Sequence, residues 1–221
     1  MTVVTQHPPG SFCWPELATH DTAGAKAFYG ALFAWEASDT PIGEGELYST
    51  LRNGEREVGG LQALSPRNQP PGTPAHWFSY IATADADATA AKVPALGGAV
   101  IAPPFDVMDL GRMAVIRDPV GAVFGVWQAK RHTGVGLLGE PGSLAWTQLN
   151  AANPAAAAPF YGGLFGWTHR VDPMPWGGMY VTFLAGRDAR GGGMPMPPGV
   201  NAPAHWLPYF ATDDVDATAA K

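Results

Sequence analysis

From Ser11 to Leu17 the chain reads SFCWPEL, an alternating run bounded by Pro and Gly, and it predicts a β-strand. Asp21 then stands where a helix N-cap would, and Ala25, Phe28 and Leu32 follow at helical spacing. Trp35-Glu-Ala-Ser opens a second strand, and LYSTLRNGEREVGGL predicts a hairpin in which Asn53-Gly54 supplies the positive φ of a tight turn. The order is β-α-β-β-β. It recurs at once: HWFSYIAT as a strand, DADATAAKVPALGG as a short helix stopped by Gly97, AVIAPP as a strand, and GRMAVIRDPVGAVFGVWQ as a hairpin turning at Asp118–Gly121. Pro94 is misplaced in a helix interior, where it costs about 3 kcal/mol, so a bend or an early end is expected there. In this reading one face of the sheet packs on helices and the other curls around something.

A longer repeat lies over this one. At an offset of 132, Trp14 falls on Trp146, Phe28-Tyr29-Gly30 on Phe160-Tyr161-Gly162, and Trp35 on Trp167. Asn153 takes the cap position of Asp21, with Pro154 at the first helical position. TPAHWFSYIATADADATAAK, ending at Lys92, returns as APAHWLPYFATDDVDATAAK, ending at Lys221. The expected organisation is a first domain over 9–130, a linker over 131–140 and a second domain over 141–221. The second lacks a counterpart of Val93–Gln128, so its strand would lie beside unpaired edges, prone to self-association as a homodimer. The linker is the expected site of proteolysis.

Composition narrows the function classes. With 46% hydrophobic residues the chain can bury a sizeable core. The formal charge is -6 and no basic cluster exceeds Lys130-Arg131, which excludes a surface built to track nucleic acid. No apolar run reaches membrane-spanning length, and MTVVTQHPPG has neither part of a signal peptide. Cys13 is the single cysteine, which fits a cytoplasmic location; beside Phe12 and Trp14 it reads as a small core residue.

Thr19–Trp35 (TxDxxxAxxFYxxLFxW), its echo over Ala151–Trp167, Leu96–Gly98 (LGG) and DPVGAVFGVWQ over Asp118–Gln128 resemble the vicinal oxygen chelate superfamily of glyoxalase I, bleomycin-resistance proteins and extradiol dioxygenases. Within it, the tandem PAHW arrangement resembles a two-domain bacterial group of glyoxalase-like or hydroxylase-like proteins. The resemblance implies an α+β fold of tandem domains, each a pair of βαβββ units forming a cupped mixed sheet with helices on its outer face, the second incomplete at its C-terminus. It also implies a divalent metal in the cup, held by about three His, Glu or Gln side chains and acting as a Lewis acid on vicinal oxygens. Carried over one by one, those ligand positions fall on Trp14, Phe78, Gly125 and near Gly60, and in the second repeat on Trp146. None can bind a metal, so no cofactor is expected unless a divalent ion uses non-standard ligands.

Polar residues remain close by. Glu16 shares a strand face with Trp14, and His76 and Tyr80 share that of Phe78; Gln148, His205 and Tyr209 are their partners in the second repeat. Glu16 and His76 are the candidate catalytic pair, as a displaced metal site or a general base. The competing reading of His76 is a hydrogen bond to a backbone carbonyl that holds the preceding Pro-rich loop. Trp14, Phe78, Tyr80 and Trp127 form an aromatic lining suited to a small-molecule ligand. Phe28, Phe160, Trp35 and Trp167 read as ordinary core on the helical side, and His7, His20, His132 and His169 support no ligand cluster. Gly191–Gly193 is no phosphate loop and reads as a bend in the sheet. The functions in view are a glyoxalase- or dioxygenase-type enzyme, a metal-free protein that sequesters an aromatic ligand, and a metal-independent enzyme.

Overall fold

A computed structural model describes residues 3–43, 45–66, 70 and 72–221. Its first strand, β1 (Phe12–Thr19), leads through α1 (Thr22–Phe33) to β2 (Glu36–Gly43), β3 (Glu46–Asn53) and β4 (Arg56–Ala63). The pattern recurs as β5 (His76–Ala82), α2 (Ala86–Lys92), β6 (Ala99–Val107), β7 (Gly111–Arg117) and β8 (Val123–Ala129). A third unit comprises β9 (Leu144–Ala151), α3 (Ala158–Phe165), β10 (Thr168–Pro173), β11 (Met179–Ala185) and β12 (Asp188–Pro195); β13 (His205–Phe210) and α4 (Val215–Ala219) follow.

The described strands form one mixed sheet. Its centre is the antiparallel pair β1–β5, with β4 parallel to β1 on one side and β8 parallel to β5 on the other. The pair β9–β13 repeats this, with β12 parallel to β9. A single parallel bridge, His205 to Val123, joins β13 to β8.

Local chemistry explains most element ends. Asp21 caps α1 by accepting from the Gly24 N–H at 2.8 Å. The α2 helix stops at Lys92, and Pro94 opens a 3-10 turn ended by Gly97 at φ 83°, the early end expected from proline. Asn153, expected as a cap, makes no capping hydrogen bond with its side chain. A 3-10 turn over Pro154–Ala157 precedes α3 instead. Pro159 has no N–H to extend a helix back to that point, so it sits in the first turn of α3. In the β3–β4 hairpin Asn53 still pairs with Arg56, so the turn is Gly54-Glu55 and Gly54 alone carries the positive φ of 58°.

The helical faces of the second and third units close on each other. Phe124, Phe160, Tyr161, Trp167, Phe183 and Trp206 form one buried cluster. Gly98 leaves no room for a side chain beneath the Phe160 ring. The equivalent phenylalanine, Phe28, was expected in the core but is 59% exposed, because no described segment covers α1 as Leu96–Gly98 covers α3. The connection read as an open linker is also buried: Val135 and Leu137 are core residues. The Val135 N–H donates to the Cys13 carbonyl at 2.9 Å, and the Gly136 N–H to that of Glu57 at 2.8 Å. No helix among the described residues is long and apolar enough to cross a membrane.

Candidate functional site

At the centre of the first cup β1 places Trp14 opposite Tyr80 and Glu16 opposite Phe78, with Gly60 of β4 beside Glu16 and Gly125 of β8 beside Tyr80. The two glycines matter through what they lack. A Cβ at Gly60 would collide with the Tyr48 hydroxyl, and one at Gly125 with the Tyr80 ring. Tyr48 therefore reaches over Gly60 from β3, two strands away from β1. The same holds at Gly192 and Tyr180, so the Gly191–Gly193 run makes room for a tyrosine as well as bending a strand.

Tyr48 and Tyr80 converge on Glu16, which is 6% exposed. Tyr48 Oη donates to Glu16 Oε2 at 2.8 Å, and Gln62 Nε2 to Oε1 at 2.7 Å. Tyr80 Oη donates to Oε1 at 3.3 Å, and Trp14 Nε1 donates to Tyr48 Oη at 2.9 Å. Burial pushes the Glu16 carboxyl above its ordinary value, opposed by the three donors. Burial and the Glu16 charge together push both tyrosines well upward, so they stay donors. A carboxylate has about four acceptor positions. Three are used, which leaves one on Oε2. Tyr48, Gln62 and Phe78 keep partial exposure at the mouth.

The four aromatic residues placed on one face by alternation do come together. Trp14, Tyr80 and Trp127 are buried in one cluster with Phe78 packed on it. His132 meets Trp14 edge-on at a centroid distance of 4.4 Å and lies 3.3 Å from the Glu57 carboxylate. His76 lies opposite Ala18, two pairs along from Glu16, with Nδ1 on the Pro74 carbonyl at 2.9 Å. This is the loop-holding bond weighed for it, and it does not join Glu16. Cys13 is fully buried beside the Tyr80 carbonyl, and burial pushes its thiol far upward.

In the second repeat Trp146 Nε1 donates to Tyr180 Oη at 2.9 Å, and Tyr180 Oη to Gln148 Oε1 at 3.3 Å. Gln148 Nε2 donates to Asn150 Oδ1 at 2.9 Å and to Tyr209 Oη at 3.2 Å. Asn150 Nδ2 is 3.2 Å from His205 Nε2. Gln148, His205 and Tyr209 are thus brought together through Asn150, which the sequence reading omitted, as it omitted Tyr48, Tyr180 and Gln62. The recurrence of Tyr48 as Tyr180, with Gly60 as Gly192, was the available signal. A cleft of about 420 Å³ lies between α2 and α3, and none of its lining residues belongs to the Glu16 or Gln148 clusters.

A sheet of βαβββ units, with the first and last strands of a unit parallel and the first strands of paired units antiparallel, defines a class of cupped α+β proteins. The family model described as Glyoxalase/Bleomycin resistance protein/Dioxygenase superfamily matches residues 12–126, and this chain belongs to that family. It is 42% identical over 218 residues to the "Putative glyoxylase CFP32" of Mycobacterium bovis, covering 98% of this chain and 83% of the relative. It is 34% identical over 235 residues to the "Anthracycline biosynthesis protein DnrV" of Streptomyces peucetius, covering 99% and 82%. Among solved structures, the Mn(II)-bound glyoxalase from Novosphingobium aromaticivorans superposes with a TM-score of 0.62 at 17% identity, which speaks for the fold alone. That match covers 86% of this chain and 63% of the glyoxalase, less than two thirds of its length.

Proposed function

We propose that the first cup binds a small aromatic molecule bearing a hydroxyl or vicinal oxygens, with Glu16 as its polar anchor and no metal. The observation that carries this reading is a single buried carboxylate that accepts from Tyr48, Gln62 and Tyr80, with Tyr80 also part of the aromatic cluster of Trp14, Phe78 and Trp127, and with one acceptor position left open. A ligand hydroxyl donating to Glu16 Oε2 would lie between Tyr48 and Phe78, its ring on the aromatic wall. The donor set does not fit the metal that the family implies. Glu16 alone among the cup residues offers a carboxylate, and its oxygens already face three donors. The positions beside it hold Trp14, Phe78 and two glycines filled by tyrosines, and His76 is turned to a backbone carbonyl. The anthracycline-biosynthesis relative supports a polycyclic aromatic as the class to try first.

The test is thermal denaturation with a panel of catechols and hydroxylated polycyclic aromatics. A ligand of the native state raises stability by mass action. At least one compound is expected to raise the melting temperature of the native chain and to lose that effect in Glu16→Gln. No shift from any of them would reject the reading. The raised carboxyl pKa favours a second reading on the same residue, proton abstraction from the bound hydroxyl by Glu16. In that case Glu16→Gln retains ligand affinity and loses turnover.

A further inference from the structure

Three strands are outermost in the sheet, each with one side free of a partner among the described residues: β2, β6 and β10. A free edge offers its backbone N–H and C=O groups to another chain unless charge or proline blunts it. In β6 the Pro103-Pro104 pair interrupts that row of donors at its middle. β2 and β10 hold the same place in the two repeats and differ in their side chains.

β2 carries Glu36 and Asp39 and no basic residue. Asp39 accepts from Lys26 of α1 at 2.7 Å and from Ser49 of β3 at 2.7 Å. At the offset of 132 the counterparts of Asp39, Lys26 and Ser49 are Val171, Ala158 and Val181. The ion cluster has become apolar. Val181 is buried, Val171 opposite it is 39% exposed, and a hollow of about 300 Å³ opens beside them, walled also by Pro154 and Met179. Arg170 and Asp172 flank Val171 on the other face of the strand, the cupped one, since their ladder partners are Thr182 and Tyr180. There Arg170 Nε lies 2.6 Å from Asp172 Oδ2, with both side chains exposed.

When two copies of one strand pair antiparallel about a two-fold axis, the residue on the axis meets itself and its two neighbours meet each other. With the axis at Val171, valine meets valine, and Arg170 of each copy meets Asp172 of the other. Opposite charges directly across a strand pair stabilise it, and like charges destabilise it. The same operation on β2 sets Asp39 against Asp39. The register on β10 also brings Trp176, 78% exposed on the β10–β11 turn, level with Gly166 of the second copy, where a Cβ would meet nothing within 4 Å.

We infer that β10 is a docking edge for a second copy of this chain, the two β10 strands pairing antiparallel about a two-fold axis at Val171 and held in register by the reciprocal Arg170–Asp172 pairs. The counterpart edge β2 is kept from the same association by Asp39. The inference is independent of the ligand proposed for the first cup.

Sedimentation equilibrium of the full chain tests it. The native chain should show a monomer–dimer equilibrium with a Kd of about 10 μM, as suits a short interface. Val171→Asp sets on the axis the residue that β2 carries there, and should weaken the dimer about ten-fold or more. Arg170→Asp leaves the edge with acidic side chains alone, and Asp172→Arg with basic ones alone. Each by itself should lose the dimer to a similar extent, and the two mixed in equal amounts should recover it as a mixed pair. A native chain still monomeric at about 100 μM, ten times that Kd, would overturn the inference. So would charge variants that associate as the native chain does, which would put the contact at another edge, or a mixture that associates no more tightly than either variant alone.

Discussion

At the scale of single residues the decisive pair is Glu16 and Gly60. Glu16 gives up its hydration for three donors, and its carboxyl is held above the ordinary value, with burial as the largest cause. The folded protein then keeps a proton that the unfolded chain has released at the same pH. Stability from this group is fully present below the ordinary glutamate pKa and falls as pH rises through the raised one. Urea midpoints followed from pH 4 to 8 should therefore fall in the native chain relative to Glu16→Gln, the amide that the second repeat uses at Gln148, as pH rises through the raised value. Identical pH profiles for the two would contradict this account of Glu16. Gly60→Ala sets a methyl against the Tyr48 hydroxyl. The expected cost is about 1–3 kcal/mol, as for other overpacked sites, measured by the same denaturation, together with loss of ligand response in the first cup.

The elements show what one repeat has and the other lacks. Phe160 on α3 is 1% exposed beneath Gly98, and Tyr161 Oη donates to Asp118 at 2.9 Å. On α1 the matching Phe28 is open, and Tyr29 Oη accepts from Trp77 with no acidic partner among the described residues. Phe160→Ala is expected to cost about 3–5 kcal/mol as a cavity in a closed core. Phe28→Ala should fall within about 0.5 kcal/mol of the native chain, and chemical denaturation of both variants checks the contrast. A cost for Phe28→Ala matching that of Phe160→Ala would mean that α1 is covered. Alternation and helical spacing made the strands, the α1 cap and the Pro94 break legible, because each depends on neighbours in sequence. They also put Trp14, Glu16, Phe78 and Tyr80 on one face. They could not show that Tyr48 arrives from β3, since that depends on Gly60 lying beside Glu16 across the β1–β4 pair. Nor could they separate Phe28 from Phe160, whose local sequences agree and whose tertiary surroundings do not.

For the whole molecule, the repeat builds one continuous sheet in which the second and third units share a core and the segment between the repeats is threaded through it. Thermolysin, which cuts before large apolar residues, is accordingly expected to spare Val135–Leu138 and to begin at α4, none of whose residues is buried. Early cleavage at Val135 would mean that this segment opens independently of the core. The central claim is that Glu16 organises a binding cup that works without a metal. It is tested most directly by metal analysis of the purified chain after dialysis against a chelator, with binding of an active aromatic ligand measured on the same sample. The account predicts less than stoichiometric divalent metal and undiminished binding. A divalent ion retained at one per chain, or binding that disappears with the metal and returns when it is restored, would contradict it.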